Sequence, residues 1–64
     1  MLLKLGHRYE IANGCGETIT GTITKIGRVY IYLDNCTQFT GIAERYIGKF
    51  KIARKDLDYV KEVH

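Results

Sequence analysis

Residues 18–34 read Thr-Ile-Thr-Gly-Thr-Ile-Thr-Lys-Ile-Gly-Arg-Val-Tyr-Ile-Tyr-Leu-Asp, and the rest of the fold is organised around this stretch. It predicts two β-strands that fold back on each other at residues 25–28. The second strand alternates aliphatic and tyrosine side chains: Val29, Tyr30, Ile31, Tyr32 and Leu33. Because successive side chains of a strand point to opposite faces, we expect the aliphatic residues in a core and both tyrosines in water.

The N-terminal half predicts two strands before the alternating strand, and the later of these two is the first strand of the quoted stretch. The first covers about residues 7–12, with Tyr9 and Ile11 on one face and Arg8 and Glu10 on the other, and ends at an Asn-Gly turn followed by an open loop. The second covers residues 17–25, is rich in β-branched threonine and has Ile19, Gly21 and Ile23 on its inner face. Gly21 inside it predicts a bend or a close backbone approach, and Ile26, out of phase, predicts a bulge or turn near Lys25.

The C-terminal half predicts two further strands. Residues 35–41 are polar and predict a loop, and residues 42–47 fit either one helical turn or the start of a strand. A fourth strand is expected from about residue 46 or 49 to 53, with Phe50 and Ile52 inside. Residues 54–56 predict a 3-10 turn, and residues 59–63 predict a last short strand.

Five short strands with no proline and no long helix predict an all-β domain covering residues 1–64. Open sheet edges invite aggregation, so a small barrel that closes its own edges is favoured over a sandwich. A chain of this length has a thin core, which supplies only about 3–5 kcal/mol of stability.

The hydrophobic spacing resembles that of small barrels of the Src-homology-three type, and most nearly the Kyprides–Ouzounis–Woese (KOW) domains. The resemblance lies in the pattern G-x-I-x-x-I-x-x-V-x-I-x-L over residues 21–33 and F-x-I-x-x-x-x-L-x-x-V over residues 50–60. Residues 21–33, with Ile47, Gly48 and Ile52, also resemble Sm-like RNA-binding barrels. Both resemblances imply a small barrel. Proline-rich peptide binding is not expected, because the chain has no tryptophan.

Charge and targeting features narrow the function classes. Ten Lys and Arg residues stand against seven Asp and Glu, which favours polyanionic or acidic partners. No secretory signal and no run of about 18 apolar residues is found, so we expect no membrane partner and a cytoplasmic location. Cys15 and Cys36 are then expected as reduced thiols rather than a disulfide.

Neither metal binding nor catalysis is favoured by the residues present. His7, Cys15, Cys36 and His64 lack the close pairing of zinc sites, so no metal or other cofactor is expected. His7 with a cysteine is the only conceivable nucleophile pair, and a barrel this small leaves no substrate cavity. We expect a binding module rather than an enzyme.

An aromatic and basic surface is the best candidate site. Outward tyrosines offer stacking surfaces to unpaired bases, while lysine and arginine neutralise phosphates. The expected site residues are Arg28, Tyr30, Tyr32, Lys49, Lys51 and Arg54. The competing interpretation is structural, because cross-strand tyrosines commonly pack against lysine stems on a solvated sheet.

Two partner classes fit this face. RNA or single-stranded DNA is the first. The second is an acidic protein surface, with the chain acting as a phage- or plasmid-type accessory protein that inhibits or adapts a host protein. Edge strands near Leu3 and Val63 also make a homodimer possible.

Overall fold

The structure is a computed structural model that describes residues 3–12, 14 and 16–63. These residues form one antiparallel sheet with the strands β1 (Arg8–Ala12), β2 (Thr18–Ile26), β3 (Tyr30–Phe39), β4 (Glu44–Ala53) and β5 (Tyr59–Val63). A 3-10 helix, Arg54–Asp56, joins β4 to β5 and is closed by the Leu57 N–H, which donates to the Arg54 carbonyl. The all-β class, the five strands and the 3-10 turn are confirmed.

The core lies on the inner face of the sheet, where the alternation placed it. Tyr9 and Ile11 of β1, and Ile19 and Ile23 of β2, are buried together with residues of β3 and β4. The Tyr9 hydroxyl accepts a hydrogen bond from the Lys4 backbone N–H at 3.0 Å, so the polar end of this buried ring is satisfied. The period of two in the sequence therefore predicted the core-facing residues of the first two strands.

The sheet is not the closed barrel that we expected. Its strand order is β4-β3-β2-β1-β5, so β4 and β5 form its two edges among the described residues. Leu3 is not on an edge strand: it is half-buried and packs against the core. Val63 does lie on the edge strand β5, and pairing between copies stays a prediction.

Three irregularities interrupt the sheet register: one in β2, one in β3 and one in β4, where Gly48 and Tyr46 pair with Cys36 and Thr37. Those in β2 and β3 change which residues share a face. In β2 the register shifts between Ile23 and Lys25, which is the predicted bulge near Lys25. In β3 the register with both neighbours shifts after Leu33, where Asn35 has a φ of 52°. A left-handed residue of this kind adds an extra position to one strand and reverses the alternation beyond it.

The bulge in β3 explains one wrong prediction. Residues 35–41 were expected to be a loop, but residues 35–39 continue β3. The extra residue at the bulge interrupts the period of two, so the sequence pattern does not show that the strand continues. Cys36 accordingly lies in a strand and is fully buried. Its sulfur packs against Gly21, which confirms the close approach that was predicted at this glycine.

The turn between β2 and β3 lies later than expected. Lys25 belongs to β2, and the turn occupies residues 27–29, closed by the Gly27 N–H donating to the Tyr30 carbonyl at 2.9 Å. Val29 was expected in the core and is 61% exposed, because it lies in this turn before the pairing of β3 begins. The ambiguous segment 42–47 ends as strand, since β4 begins at Glu44.

Several predictions fall outside the described residues. Asn13 of the predicted turn and Cys15 are among them, as is His64, while Gly14 and Gly16 have φ values of 81° and 82° that suit the loop. Within the described part of the chain, no helix has the length and apolar character needed to cross a bilayer.

Candidate functional site

The two tyrosines of β3 lie on the outer face of the sheet, as the alternation predicted. Tyr30 is 38% exposed and Tyr32 is half-buried. Their ring centroids are 6.4 Å apart and the ring planes are tilted by 58°. Both rings therefore present part of their surface to solvent, side by side along one strand.

Lysine side chains from both neighbouring strands reach over these rings. Lys25 of β2 and Lys51 of β4 are both paired with Tyr32 in the sheet register. The Lys25 ammonium nitrogen lies 5.4 Å from the centroid of Tyr32, and that of Lys51 lies 4.6 Å from the centroid of Tyr30. Each cation–π contact is worth about 0.5–1 kcal/mol at an exposed site, so the ammonium groups are held on this face.

We name Lys25, Tyr30, Tyr32, Lys49 and Lys51 the tyrosine–lysine face. Sequence reasoning missed Lys25, because plain alternation placed it on the same side of β2 as Ile23. The bulge between Ile23 and Lys25 turns it to the outer side. The out-of-phase Ile26 was the feature from which this change of face could have been inferred.

A groove of about 520 Å³ runs beside the tyrosine–lysine face. Its lining includes Lys25, Tyr32, Asp34, Lys49 and Lys51. Its volume lies in the range of about 300–1,000 Å³ that is usual for small-ligand sites. We call it the central groove. Three lysines and one tyrosine in its lining make it suited to a planar group that carries negative charge nearby.

A second groove of about 510 Å³ adjoins the same face. It is lined in part by Tyr30, Lys51, Lys55 and Asp56. Because Lys51 lines both grooves, positive charge continues from one to the other. The two grooves therefore adjoin each other at Lys51.

The two arginines of the predicted site have different surroundings. Arg28 is exposed in the β2–β3 turn. Arg54 begins the 3-10 helix, where its guanidinium donates to the Gly27 carbonyl at 3.1 Å and its backbone N–H donates to the Val29 carbonyl at 2.7 Å. Arg54 therefore ties the 3-10 helix to the β2–β3 turn, a structural contact that sequence reasoning did not foresee.

The thiol of Cys36 is not placed for nucleophilic chemistry. Burial raises its pKa, the Asp34 carboxylate raises it further, and the Arg8 guanidinium acts in the opposite direction. The thiolate is the nucleophilic form, and a raised pKa keeps the thiol protonated at neutral pH. His7, the base considered for it, has its Nδ1 2.9 Å from the Glu62 carboxylate on β5. Within residues 3–12, 14 and 16–63 no three His, Cys, Asp or Glu side chains gather as a metal site.

A separate apolar surface lies at the hairpin that joins β3 to β4. Phe39 is 48% exposed, Ile42 is 97% exposed and Tyr46 is 68% exposed. We name these three residues the hairpin patch. It stands at the end of β3 opposite to Tyr30, so it is distinct from the tyrosine–lysine face.

No protein-family model matches the sequence, and no curated protein is significantly similar to it. Among solved structures, the chain is similar to one in "Crystal structure of the NatC complex bound to CoA". The TM-score is 0.82 at 15% identity, over 94% of this chain and 84% of that chain. A chain in "Crystal structure of the NatC complex bound to Gag peptide and CoA" gives a TM-score of 0.81 at 14% identity, over 88% and 80%. At such low identity the likeness shows a shared fold.

Proposed function

We propose that this chain is a cytoplasmic, non-catalytic module that binds single-stranded nucleic acid, RNA or DNA, through the tyrosine–lysine face. One observation carries the proposal: two partly exposed tyrosine rings share a sheet face with three lysines that line one groove. Single-stranded binding surfaces combine these two elements, aromatic rings for the bases and cations for the backbone.

The geometry supports different roles for the two residue types: the tyrosines stack on bases and the lysines contact phosphates. Lys25 and Lys51 have their ammonium groups over the tyrosine rings, so both groups must move off the rings when bases stack there, and they then lie within reach of the phosphates of the stacked nucleotides. The net charge of +3 adds a general attraction for polyanions. Lys51 lines both grooves and Lys55 lines the second, so a strand of several nucleotides has two adjoining grooves with lysines to occupy.

Replacing both Tyr30 and Tyr32 with alanine is expected to weaken binding of a labelled oligonucleotide by at least about 30-fold. Each base stacked on an aromatic ring is worth about 1–3 kcal/mol, and the double variant removes both rings. Fluorescence anisotropy with a ten-nucleotide RNA and the matching DNA at low salt measures the change. Tyr59→Ala is the matched control, since Tyr59 is exposed on the opposite edge strand β5. Equal affinity of the double variant and the wild-type chain would discard this face.

Neutralising Lys25, Lys49 and Lys51 together with glutamine is expected to flatten the dependence of affinity on salt. Single-stranded binding loses about 0.7 in the slope of log K against log[salt] for each phosphate contact removed, so the slope should fall by about 2. Lys61→Gln on β5 removes one charge outside the grooves and should leave the slope close to that of the wild type. Titrations at four or five salt concentrations measure the slope for each variant. A wild-type chain that shifts no oligonucleotide at low salt refutes the proposed function.

Protein binding is the second candidate, and the hairpin patch favours it. Exposed aromatic residues such as Phe39 and Tyr46 are the kind that dominate interface hot spots. The structurally similar chains belong to a complex, NatC, so small domains of this fold occur as components of assemblies. An inhibitor or adaptor that binds an acidic host protein would use the hairpin patch, the tyrosine–lysine face or both. A stoichiometric host partner whose binding is lost in Ile42→Asp, but not in the double tyrosine variant, would support this second function.

A further inference from the structure

The central groove contains one acidic residue among its lysines, and this residue has no role in the stacking of bases or the neutralisation of phosphates. Asp34 follows Tyr32 by two positions on β3 and lines the groove with Lys25, Lys49 and Lys51. A carboxylate weakens a surface whose purpose is only to attract phosphates, because like charges repel. Its presence therefore suggests that this position contacts a part of the ligand other than the phosphate.

The position of Asp34 suits the edge of a stacked base. Side chains two positions apart on one strand face are about 6.5–7 Å apart, so a base lying on the ring of Tyr32 extends toward the carboxylate. The backbone N–H of Asn35 donates to Asp34 Oδ1 at 3.1 Å, which orients the group. An ionised carboxylate has about four lone-pair positions, so this bond leaves acceptor capacity for a ligand.

We propose that Asp34 gives the central groove a preference for bases that carry an exocyclic amino group, namely cytosine, adenine and guanine, over uracil and thymine. This inference rests on the proposed single-stranded nucleic-acid function. The Asp34 carboxylate accepts a hydrogen bond from the amino group while Tyr32 stacks on the base and the lysines neutralise the flanking phosphates. Aspartate and glutamate accept from the cytosine N4 amino group in the same way in known base recognition.

Uracil and thymine are disfavoured for a definite chemical reason. Where cytosine presents an amino donor at position 4, uracil presents a carbonyl oxygen, which is an acceptor. Two acceptors facing each other repel, and the carboxylate lone pair that faces the base is left without a donor. Cytosine and uracil have the same ring size, so stacking and phosphate contacts remain matched between them.

The test compares ten-nucleotide oligocytidine and oligouridine by fluorescence anisotropy at one low salt concentration. The wild-type chain is expected to bind oligocytidine at least about fivefold more tightly, the lower end of the discrimination of a good base contact. Asp34→Asn keeps the shape, but its amide both donates and accepts, so the preference should fall to less than about twofold. Asp34→Ala should lose the preference as well. Circular dichroism melts establish that both variants are folded.

A matched variant separates the effect of removing a negative charge from the effect on base preference. Glu44→Gln on β4 also removes one negative charge, but Glu44 lies beside Phe39 at the far end of the sheet. It should raise the affinity for both oligonucleotides slightly and leave their ratio unchanged.

Three outcomes are informative. A cytidine preference that disappears in both Asp34 variants supports the inference. Binding of both oligonucleotides with equal affinity by the wild-type chain, or a uridine preference, overturns the inference and leaves the proposed function standing. The proposed function itself fails if neither oligonucleotide binds at low salt.

Discussion

Replacing Ile23 with alanine should lower the free energy of unfolding by about 2–5 kcal/mol, the usual cost of truncating a large buried aliphatic side chain. Ile23 is 1% exposed and lies in the middle of the core, on the central strand β2. A single core of this size supplies only about 3–5 kcal/mol in total. The variant is therefore expected to be largely unfolded at 25 °C. Urea unfolding followed by circular dichroism measures the change.

Ile42→Ala provides a control with the same chemical change. Ile42 is 97% exposed in the hairpin patch, so its truncation removes almost no buried surface. Its free energy of unfolding should stay within about 0.5 kcal/mol of the wild-type value. If the Ile23 variant were as stable as the Ile42 variant, the core described for β2 would be wrong.

Adding a methyl group at Gly21 is the second change with a large expected effect. A Cβ at this position would overlap the sulfur of Cys36, and would lie 3.2 Å from the carbonyl oxygen of Asp34 and 3.3 Å from the Cβ of Leu33. Cys36 is fully buried, and protein cores are close-packed, so moving its sulfur would displace other core atoms. Overpacking of this kind costs about 1–3 kcal/mol, so Gly21→Ala should lower the unfolding midpoint in urea markedly.

The neighbour responsible for this cost can be identified by a double-mutant cycle. Cys36→Ala removes the sulfur, which is the atom that the new methyl group would overlap. The double variant with Gly21→Ala should therefore be more stable than the sum of the two single effects predicts, by at least about 0.5 kcal/mol. Additive losses would show that the backbone of β3, and not the thiol, sets the need for glycine.

The alternation of side chains predicted more of this fold than any other feature. Tyr9, Ile19 and Ile31 are in the core, and Tyr30 and Tyr32 are on the outer face, as a period of two requires. These predictions succeeded because each depends only on neighbours along the same regular strand. The 3-10 turn and the last strand were also correctly bounded, since turn residues flank them closely.

Predictions failed where the strand was irregular. Asn35 adds one residue to β3, and this hides from the sequence that the strand continues through Cys36 to Phe39. At the other end of β3, Val29 fits the alternating pattern but lies in the turn. Register between strands decides both cases, and register depends on residues far apart in the chain.

In the candidate site, too, features set by local spacing were predicted and features set by bulges or by contacts between distant segments were missed. Tyr30, Tyr32, Lys49 and Lys51 were placed on the outer face from the sequence, but Lys25 was not, because plain alternation ignores the bulge before it, which reverses its side. Arg54 was predicted as a site residue, and that prediction did not include the bond from its guanidinium to the Gly27 carbonyl, in a turn that is adjacent only in space. Contacts between distant segments are not encoded in local spacing.

By itself the sequence determined that this protein is an all-β chain with an aliphatic inner face and two tyrosines on the outer face of its third strand. These features follow from side-chain alternation and turn residues, which act over a few positions. Only the tertiary structure decided that the sheet stays open between β4 and β5, and that Lys25 and Asp34 join the tyrosines around one groove. The physical reason is that bulges and strand register set which distant residues meet, and packing of the whole sheet selects them.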